Sequence, residues 1–223
     1  MAQKKLLELK VLILDNDGGL IDSSRIAVAR FKRVAKNLCL TQPTKRQIQT
    51  IWGRPWHEVV RYFWPDEHQR FTDTYLADYH TVQYRTFPGL PNQLAKLSGH
   101  LKLAVLTSRD KTTFLRRLAE AGIPTDLFMM IITMDDTPYH KPDPRVFNSV
   151  WLKLRKSGIK KDEIAYAGDT LIDMQAITGF GGHFIALCTG PFKRKDFLRA
   201  GVPPHLILDT PADLAKIIKN HQP

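Results

Sequence analysis

Residues 11–23 read VLILDNDGGLIDS, four apolar residues followed at once by acids and glycines. A short apolar run bounded by turn residues is typical of a strand buried on both faces. Because strand side chains alternate between the two faces, Asp15 and Asp17 share one side if the extended backbone continues. Gly18 and Gly19 let the chain turn away after them. The segment therefore predicts two carboxylates at the end of a buried strand; a strand that ends in a solvated turn is the alternative.

Five further apolar runs follow, and amphipathic helix patterns lie between most of them. The strand candidates occupy residues 103–106, 129–132, 164–167, 184–187 and 206–208. The clearest helix starts at Asp143 and Pro144, repeats apolar residues at i, i+3, i+4 and i+7, and stops at Gly158. A second helix pattern starts at Thr210. Alternating strands and helices predict an α/β fold with a Rossmann-like, doubly wound parallel sheet.

Residues 22–87 break this alternation, because they show helix patterns and no convincing strand. Three apolar stripes recur at helical spacing; they are Phe31, Val34, Ala35 and Leu38; Trp56, Val59, Val60 and Phe63; and Phe71, Tyr75, Tyr79 and Val82. Four bulky aromatic residues are interpreted as core of this unit rather than as a base-stacking platform; they are Trp52, Trp56, Phe63 and Trp64. Pro88 and Gly89 mark the return. We therefore predict an inserted all-helical domain at 22–87 within a discontinuous α/β core at 1–21 and 88–223.

The composition is that of an ordinary globular protein. Of the 223 residues, 43% are hydrophobic and 25% are charged, with 13 Gly and 14 Pro. Collagen-like, low-complexity and disordered chains need far more Gly and Pro or far less apolar content, so those classes are excluded. Cys39 and Cys188 stand far apart within apolar stretches. We expect both to be small core residues rather than parts of a disulfide or metal framework, as suits a reducing cytoplasm.

The chain is strongly basic, with 33 Lys and Arg against 22 Asp and Glu and a formal net charge of +11. Such an excess is compatible with nucleic acid, an anionic lipid surface or an acidic small substrate. The basic runs at 153–156 and 193–195 are interpreted as solvated faces, so no nucleic-acid partner is expected. The first residues lack the apolar segment of a signal peptide, and no apolar run approaches the length of a membrane span. We expect a cytoplasmic protein with no membrane partner.

A second acidic segment, YAGDTLID at 166–173, also follows an apolar run. If a helix begins there, Asp169 and Asp173 lie one turn apart on the same face; a capping Asp with one surface acid is the alternative. Ligands bind at the carboxyl ends of the strands in open α/β sheets, where these acids would join Asp15 and Asp17. Four carboxylates at such short distances would repel one another unless a cation compensates their charge. Oxygen ligands favour a hard cation, so we expect Mg²⁺.

Two more strand ends supply groups suited to a phosphate. The hydroxyls of Thr107 and Ser108 follow the strand at 103–106, next to a helix start that can bind anions. Lys141 lies in the proline-rich turn HKPDP at 140–144, before another helix start. There it can neutralise both the acids and a phosphate, although a lone lysine is most often a solvated surface group.

Taken in order, these segments resemble the four motifs of the haloacid dehalogenase-like superfamily. The motifs are DNDG at 15–18, TS at 107–108, KP at 141–142 and GDTLID at 168–173. The resemblance covers essentially the whole chain, since it includes FPGL at 87–90 and AITG at 176–179. The chain most resembles the branch of phosphoglycolate phosphatases, sugar-phosphate phosphatases and β-phosphoglucomutases. Four motifs in order, each at a predicted strand end, make a specific signal.

The resemblance implies a role for the residues that contact the substrate. Asp15 would be the nucleophile that forms an aspartyl-phosphate intermediate. Asp17 would be the general acid that protonates the leaving alcohol and then the base that activates water. The transferring phosphoryl oxygens would be bound by Thr107, Ser108 and Lys141.

The resemblance also implies a metal site and a mobile cap. Mg²⁺ would be held by the Asp15 carboxylate, the Asp17 backbone carbonyl and Asp169, with Asp173 as a further ligand or as a partner of the ligands. The segment 22–87 matches the family's helical cap, which closes over the site and sets specificity.

Three residues bear on how far the family pattern applies. Gly19 stands where the family usually has Thr. We expect the lost hydroxyl and a more flexible turn to loosen the placement of Asp17 and slow the reaction, with no loss of chemical capability. Members that dehalogenate lack an acid at the Asp17 position, so its presence disfavours dehalogenation. Arg54 stands where members of the resembled family carry a substrate-facing loop of the cap, so it is a candidate for binding an anionic substrate group; a solvated arginine at a helix start is the alternative.

The leading hypothesis is a Mg²⁺-dependent phosphatase for small phosphate monoesters of the phosphoglycolate or sugar-phosphate type. A phosphomutase that uses the same Asp15 but keeps the phosphoryl group under the cap is the main alternative. A catalytically weak binding or regulatory protein on the same scaffold is a third hypothesis, and nucleic-acid binding, supported only by net charge, is a fourth. The expected partner is a small phosphorylated metabolite, and both a monomer and a homodimer stay open.

Overall fold

Residues 11–14 form the central strand β1 (Val11–Leu14) of a six-stranded parallel sheet. In the computed structural model, which describes residues 8–77 and 82–218, the strand order is β3-β2-β1-β4-β5-β6. The other strands are β2 (Lys102–Leu106), β3 (Phe128–Ile132), β4 (Ile164–Gly168), β5 (His183–Leu187) and β6 (Ile207–Leu208). All six predicted strands are confirmed. The parallel pairing and strand order are those of a doubly wound sheet, so the predicted fold class is confirmed as well.

The register of the central strands brings their carboxyl ends together. Every residue of β1 is buried, as expected for the middle of a parallel sheet. Leu14 pairs with Val105 of β2 and with Ala167 of β4, so these three strands end side by side. The backbone N–H of Asp15 still donates to the Ala167 carbonyl over 3.0 Å. The polar residues that follow the three strands therefore meet at one edge of the sheet.

Four helices lie between residues 22 and 87, and no strand occurs among the described residues of this segment. They are α1 (Ser24–Asn37), α2 (Lys45–Ile51), α3 (Trp56–Phe63) and α4 (His68–Ala77). The fully buried ring of Phe31 joins them, since its centroid lies 4.8 Å from that of Phe71 and 5.1 Å from that of Trp64. An aromatic core of this kind stabilises helices that are too short to be stable alone.

The predicted aromatic core of this segment is confirmed. Trp52 and Trp64 are buried, and Trp56 and Phe63 pack partly buried against the same cluster. The third predicted stripe is only partly helical. Phe71 and Tyr75 are buried on α4, Val82 lies beyond that helix, and Tyr79 lies outside the described residues.

The chain after residue 87 supplies the remaining helices. They are α5 (Leu90–Ser98), α6 (Lys111–Glu120), α7 (Asn148–Leu154), α8 (Leu171–Phe180) and α9 (Arg194–Arg199). The helix predicted from Asp143 to Gly158 is continuous, but 3₁₀ turns at Pro144–Phe147 and Arg155–Ser157 flank α7. The helix predicted at Thr210 is a run of 3₁₀ turns, Pro211–Ile217. Within residues 8–77 and 82–218, none of the helices combines the length and the apolar character of a membrane span.

The prediction that both cysteines are buried is wrong for one of them. Cys188 is buried, but Cys39 is exposed and has a positive φ of 56°. Cys39 directly follows Leu38, the C-cap residue of α1, and the N–H of Leu40 donates to the Ala35 carbonyl across it. This left-handed turn is a common way to end a helix, and it directs the side chain away from the apolar face. Both cysteines are free thiols.

Candidate active site

Asp15 lies directly after β1 and is almost completely buried, with 5% of its surface exposed. Its carboxylate accepts a hydrogen bond from the backbone N–H of Asn16 at 2.8 Å and lies 3.2 Å from Nζ of Lys141. Burial raises the pKa of Asp15 to about 7, and the nearby carboxylates of Asp173 and Asp17 add to that rise, whereas Lys141 opposes it.

Lys141 is the buried cation at this edge of the sheet. Its Nζ donates to Asp173 Oδ1 at 2.7 Å and to the hydroxyl of Tyr166 at 2.9 Å. The Tyr166 hydroxyl in turn donates to the Leu106 carbonyl at 2.9 Å, so three strand ends are joined through one lysine. Burial alone would lower the pKa of Lys141, but Asp15 and Asp173 outweigh that effect and hold the pKa above its usual value. The lysine is therefore a fixed positive charge, not the solvated surface group of the alternative.

Asp169 and Asp173 both lie near Asp15, but Asp169 precedes helix α8 and Asp173 lies in its first turn. Helix α8 begins at Leu171 with Thr170 as its cap, so Asp169 precedes the helix instead of sharing a helical face with Asp173. Asp173 Oδ2 accepts from the N–H and the hydroxyl of Thr170 at 3.0 and 2.7 Å, which leaves both of its oxygens bonded. Asp169 accepts from the Ser24 hydroxyl of α1 at 2.7 Å. Burial, reinforced by Asp173 and Asp15, raises the pKa of Asp169 well above its usual value.

These three acids, which we call the acid cluster (Asp15, Asp169 and Asp173), have the chemistry of a metal site. One carboxylate oxygen from each lies within 4.8 Å of the others, and all three side chains are buried. An all-oxygen, all-anionic set of donors fits a hard divalent cation and disfavours a soft one. Because both Asp173 oxygens are bonded to Lys141 and Thr170, Asp15 and Asp169 are the better placed donors.

Asp17 has a different environment from the acid cluster, because two arginines enclose it. Arg109 Nη2 lies 2.7 Å from Asp17 Oδ2, and Arg117 Nη1 lies 2.6 Å from Oδ1. The Ser23 hydroxyl donates to Oδ1 and the Asn16 side chain donates to Oδ2. Burial opposes ionisation of Asp17, but Arg109 and Arg117 outweigh it and hold the pKa of this carboxyl well below its usual value.

Sequence reasoning missed this arginine pair, Arg109 and Arg117. Arg109 follows the predicted Thr107-Ser108 pair, where only the hydroxyls drew attention. Arg117 is 1% exposed on the inner face of α6, beside Phe114 and Leu118, and its guanidinium stacks 3.9 Å from the ring centre of Tyr84. The sequence did carry a signal for Arg117, because it lies on the apolar face of an amphipathic helix. An arginine in such a position is rarely buried without a carboxylate partner.

Two glycines let the backbone approach the carboxylates. Gly18 has a φ of 79°, and a Cβ there would lie 2.2 Å from Asp169 Oδ2. Gly19 has no positive φ, but a Cβ there would lie 2.2 Å from the Asp15 carbonyl oxygen. The expectation of a loosened turn at Gly19 therefore needs correction, because close packing rather than flexibility accounts for glycine at this position.

The remaining predicted site residues line a cavity of about 430 Å³ between the sheet edge and α1–α4, together with Asp15, Asp17 and Asp169. Thr107 is buried and its hydroxyl accepts from the N–H of Arg109 at 3.2 Å. The Ser108 hydroxyl donates to the Gly53 carbonyl at 2.9 Å. Arg54 lines the cavity and pairs with Glu58 of α3 at 3.1 Å. All the predicted site residues except Asp173 therefore line one cavity, and Asp173 is bonded to the cavity-lining Lys141.

Comparison with known proteins gives a family match over most of the chain. The family model described as haloacid dehalogenase-like hydrolase matches residues 12–187. A phosphoglycolate phosphatase of Nitrosospira multiformis is 25% identical over 203 residues, which cover 85% of this chain and 88% of the relative. A putative pyrophosphatase PpaX of Clostridium perfringens is 25% identical over 172 residues, which cover 75% of this chain and 78% of the relative.

The fold has close counterparts among solved structures. A hydrolase from Pseudomonas syringae superposes with a TM-score of 0.75 at 25% identity, covering 93% of this chain and 96% of that one. The likeness spans nearly the full length of both chains.

Proposed function

The chain belongs to the haloacid dehalogenase-like hydrolase family, and from this premise we propose that it is a Mg²⁺-dependent phosphatase of small phosphate monoesters. The observation that carries the proposal is the placement of Asp15 beside Lys141 and Asp169 at the floor of the cavity. An anionic nucleophile can attack a phosphate dianion only where cations offset the repulsion between them. The relatives named phosphoglycolate phosphatase and pyrophosphatase support the same reaction class.

In the proposed first step, an Asp15 carboxylate oxygen forms a bond to phosphorus while the bond from phosphorus to the leaving alcohol breaks. Asp17 is the general acid that gives the leaving oxygen its proton. In the second step, water attacks phosphorus, Asp17 takes the water proton, and the bond between Asp15 and phosphorus breaks to release inorganic phosphate. The arginine pair favours the ionised form of Asp17, which is the form that accepts the proton of water in the second step. To act as the acid of the first step, Asp17 would have to bind a proton and release the arginines.

The phosphoryl oxygens are proposed to bind Thr107, Ser108 and Lys141. Lys141 is held at the site by its bonds to Asp173 and Tyr166, so its charge is in place before substrate arrives. The Asp15 and Asp169 carboxylates and the Asp17 carbonyl would hold Mg²⁺, with Asp173 beside them. When bound, that ion supplies positive charge to the phosphoryl oxygens and offsets the repulsion among the acids.

We propose that residues 22–87 act as a cap over a core made of 1–21 and 88–223. Three hydrogen bonds support this division, because each joins a residue before position 87 to the sheet edge. They are Ser24 to Asp169, Ser108 to the Gly53 carbonyl, and Gln49 to the Pro191 carbonyl at 3.1 Å. Hydrogen bonds of this kind can break and re-form as a cap opens for substrate and closes for reaction.

The direct test is phosphate release from a panel of phosphate esters by the purified chain, with Mg²⁺ and with EDTA. We expect turnover that EDTA abolishes and Mg²⁺ restores. Asp15→Asn should lower kcat on the order of 10³-fold or more, whereas Asp126→Asn, the same change at an exposed site, should leave it unchanged. Isomerised sugar phosphate without released phosphate would identify a mutase instead, and no turnover across the panel would favour a binding protein.

A further inference from the structure

The cavity has two chemically different walls. The wall at the sheet edge carries the acid cluster, Lys141 and the hydroxyls of Thr107 and Ser108. The opposite wall, formed by α1–α4, is mostly aromatic and aliphatic; its apolar lining residues are Ala27, Trp52, Trp56, Val59, Tyr75 and Leu76. A phosphoryl group held at the sheet edge would therefore point its leaving group toward an apolar surface.

Two polar groups of the apolar wall are directed to other partners. The Trp56 Nε1–H donates to the Thr72 hydroxyl at 3.2 Å, and the Ser24 hydroxyl donates to Asp169. The Trp56 ring lies 4.4 Å from the ring of Tyr75, centre to centre. Because these side chains already pack on one another, the wall is formed before any ligand binds, and it offers ring surfaces rather than hydrogen bonds.

Among the described residues, each cationic side chain that lines the cavity has a carboxylate partner. Arg54 pairs with Glu58, Arg109 and Arg117 both pair with Asp17, and Lys141 pairs with Asp15 and Asp173. A carboxylate or a second phosphate on the leaving group would meet cations whose charge is already offset by these partners. An uncharged leaving group needs no such cation.

We propose that this cavity selects phosphate monoesters whose leaving alcohol is uncharged and carries an apolar group of about the size of a ring. The inference rests on the proposed phosphatase function and narrows its substrate class. The cavity volume of about 430 Å³ lies in the range of about 300–1,000 Å³ that accommodates drug-sized ligands. A phosphate with a two-carbon leaving group fills only part of such a space.

The test compares kcat/KM for ethyl phosphate, 2-phenylethyl phosphate and phosphoglycolate. All three are esters of primary alcohols, so binding rather than leaving-group reactivity dominates the difference. We expect 2-phenylethyl phosphate to exceed ethyl phosphate by about tenfold or more, and phosphoglycolate not to exceed ethyl phosphate. A preference for phosphoglycolate over both alkyl esters would overturn the inference while leaving the phosphatase function intact.

A charged substitution in the apolar wall sharpens the test. Leu76 is 47% exposed and lines the cavity, whereas Leu152 on α7 is 49% exposed and does not line it. Leu76→Lys should lower kcat/KM for 2-phenylethyl phosphate about tenfold, mainly through KM, and should raise it for phosphoglycolate. Leu152→Lys should change neither, and equal effects of the two substitutions would contradict the assignment of this wall.

Ligand binding gives a readout that does not depend on turnover. With Mg²⁺ present, calorimetry should show that 2-phenylethylphosphonate binds about tenfold tighter than phosphonoacetate, and that Leu76→Lys reverses the order. If no ester is hydrolysed but this order holds, the phosphatase proposal fails and the specificity of the cavity stands. Tighter binding of phosphonoacetate by the unaltered chain would refute the inference.

Discussion

Asp15 and Asp17 are separated by one residue at the end of β1, yet their surroundings are opposite in charge. Asp15 shares Lys141 with Asp173 and lies in the acid cluster, and its pKa is raised to about 7. Asp17 is bonded to both members of the arginine pair, and its pKa is held well below the usual range. Burial disfavours the charged form of both carboxyls, so the number of cations per carboxylate decides the direction of each shift.

The different surroundings of Asp15 and Asp17 show how the end of one strand can supply two carboxylates with different chemical roles. Paired acids whose environments push their pKa values apart are a recurrent basis for assigning different roles in catalysis. Here the acid cluster has the excess negative charge that a divalent cation would offset, whereas the carboxylate of Asp17 is already neutralised by protein groups. This difference favours placing the metal against Asp15 and Asp169.

The largest expected effect comes from removing the cation of the acid cluster. Lys141→Met leaves Asp15 and Asp173 buried without their lysine, so the free energy of unfolding in EDTA should fall by about 3–5 kcal/mol. Phosphatase activity should fall on the order of 10²-fold or more, because a preformed donor to the phosphoryl group is lost. Urea denaturation and steady-state kinetics measure the two effects.

Lys111→Met is the control for that substitution. Lys111 is 58% exposed and lies 3.8 Å from Asp136, so its removal should cost less than about 1 kcal/mol. Equal losses of stability for the two lysine variants would show that the acid cluster is not organised around Lys141.

The next largest effect concerns how the stability of the protein depends on pH when EDTA is present. Asp15 and Asp17 should contribute to this dependence with opposite signs. The folded protein holds a proton on Asp15 that the unfolded chain loses between about pH 4 and pH 7, so this group lowers stability by up to about 4 kcal/mol as the pH rises through that window. The pKa of Asp17 is lowered on folding, so its contribution is present above about pH 4 and is lost on acidification.

Urea denaturation from pH 3 to pH 8 separates the contributions of Asp15 and Asp17 to the pH dependence of stability. Asp15→Asn should flatten the fall in stability between pH 4 and pH 7, with some slope left because Asp169 titrates in the same direction. Asp17→Asn should keep that slope and weaken the loss below pH 4. An unchanged slope in Asp15→Asn would contradict the environment described for this carboxyl.

Replacing the two arginines should lower the free energy of unfolding by different amounts, and this difference is smaller than the effects described above. Arg117 is 1% exposed, so Arg117→Met should cost about 3 kcal/mol, since it removes a buried ion pair and the contact with the Tyr84 ring. Arg109 is 26% exposed, and Arg109→Gln should cost about 1 kcal/mol or less. Unfolding free energies of the two variants check this order, and a larger cost for Arg109→Gln would reverse the view of which arginine anchors Asp17.

The smallest expected effect concerns the turn that joins the two environments. Gly19→Ala places a Cβ against the Asp15 carbonyl oxygen, so we expect a loss of about 1–3 kcal/mol and a lower kcat. Gly99→Ala is the matched control, because Gly99 has an ordinary helical φ of −68° and a Cβ there would meet only the Lys96 carbonyl oxygen, at 3.5 Å. That change should be neutral or slightly stabilising. A neutral Gly19→Ala would indicate that the turn can shift.

Much of the fold and of the candidate site could be predicted because the signals are local. The strand at 11–14 is a short apolar run, and the acids that follow it are adjacent in sequence. Parallel strands place their carboxyl ends at one edge, so acids after two such strands had to come close. The start of α8 was harder, since Asp169 and Thr170 are both acceptable caps and only the hydrogen bonds show that Thr170 is used.

Sequence pattern alone determines that this chain forms a doubly wound sheet with its acids, hydroxyls and one lysine at a common edge. Only the tertiary structure decides that Asp15 faces a shared lysine while Asp17 faces two arginines, because Arg109 and Arg117 lie 92 and 100 residues from Asp17 along the chain. Periodicity reports which face of an element is buried and not which charge it meets there. A carboxyl's pKa depends on charges within a few ångströms, and those neighbours exist only once the chain has folded.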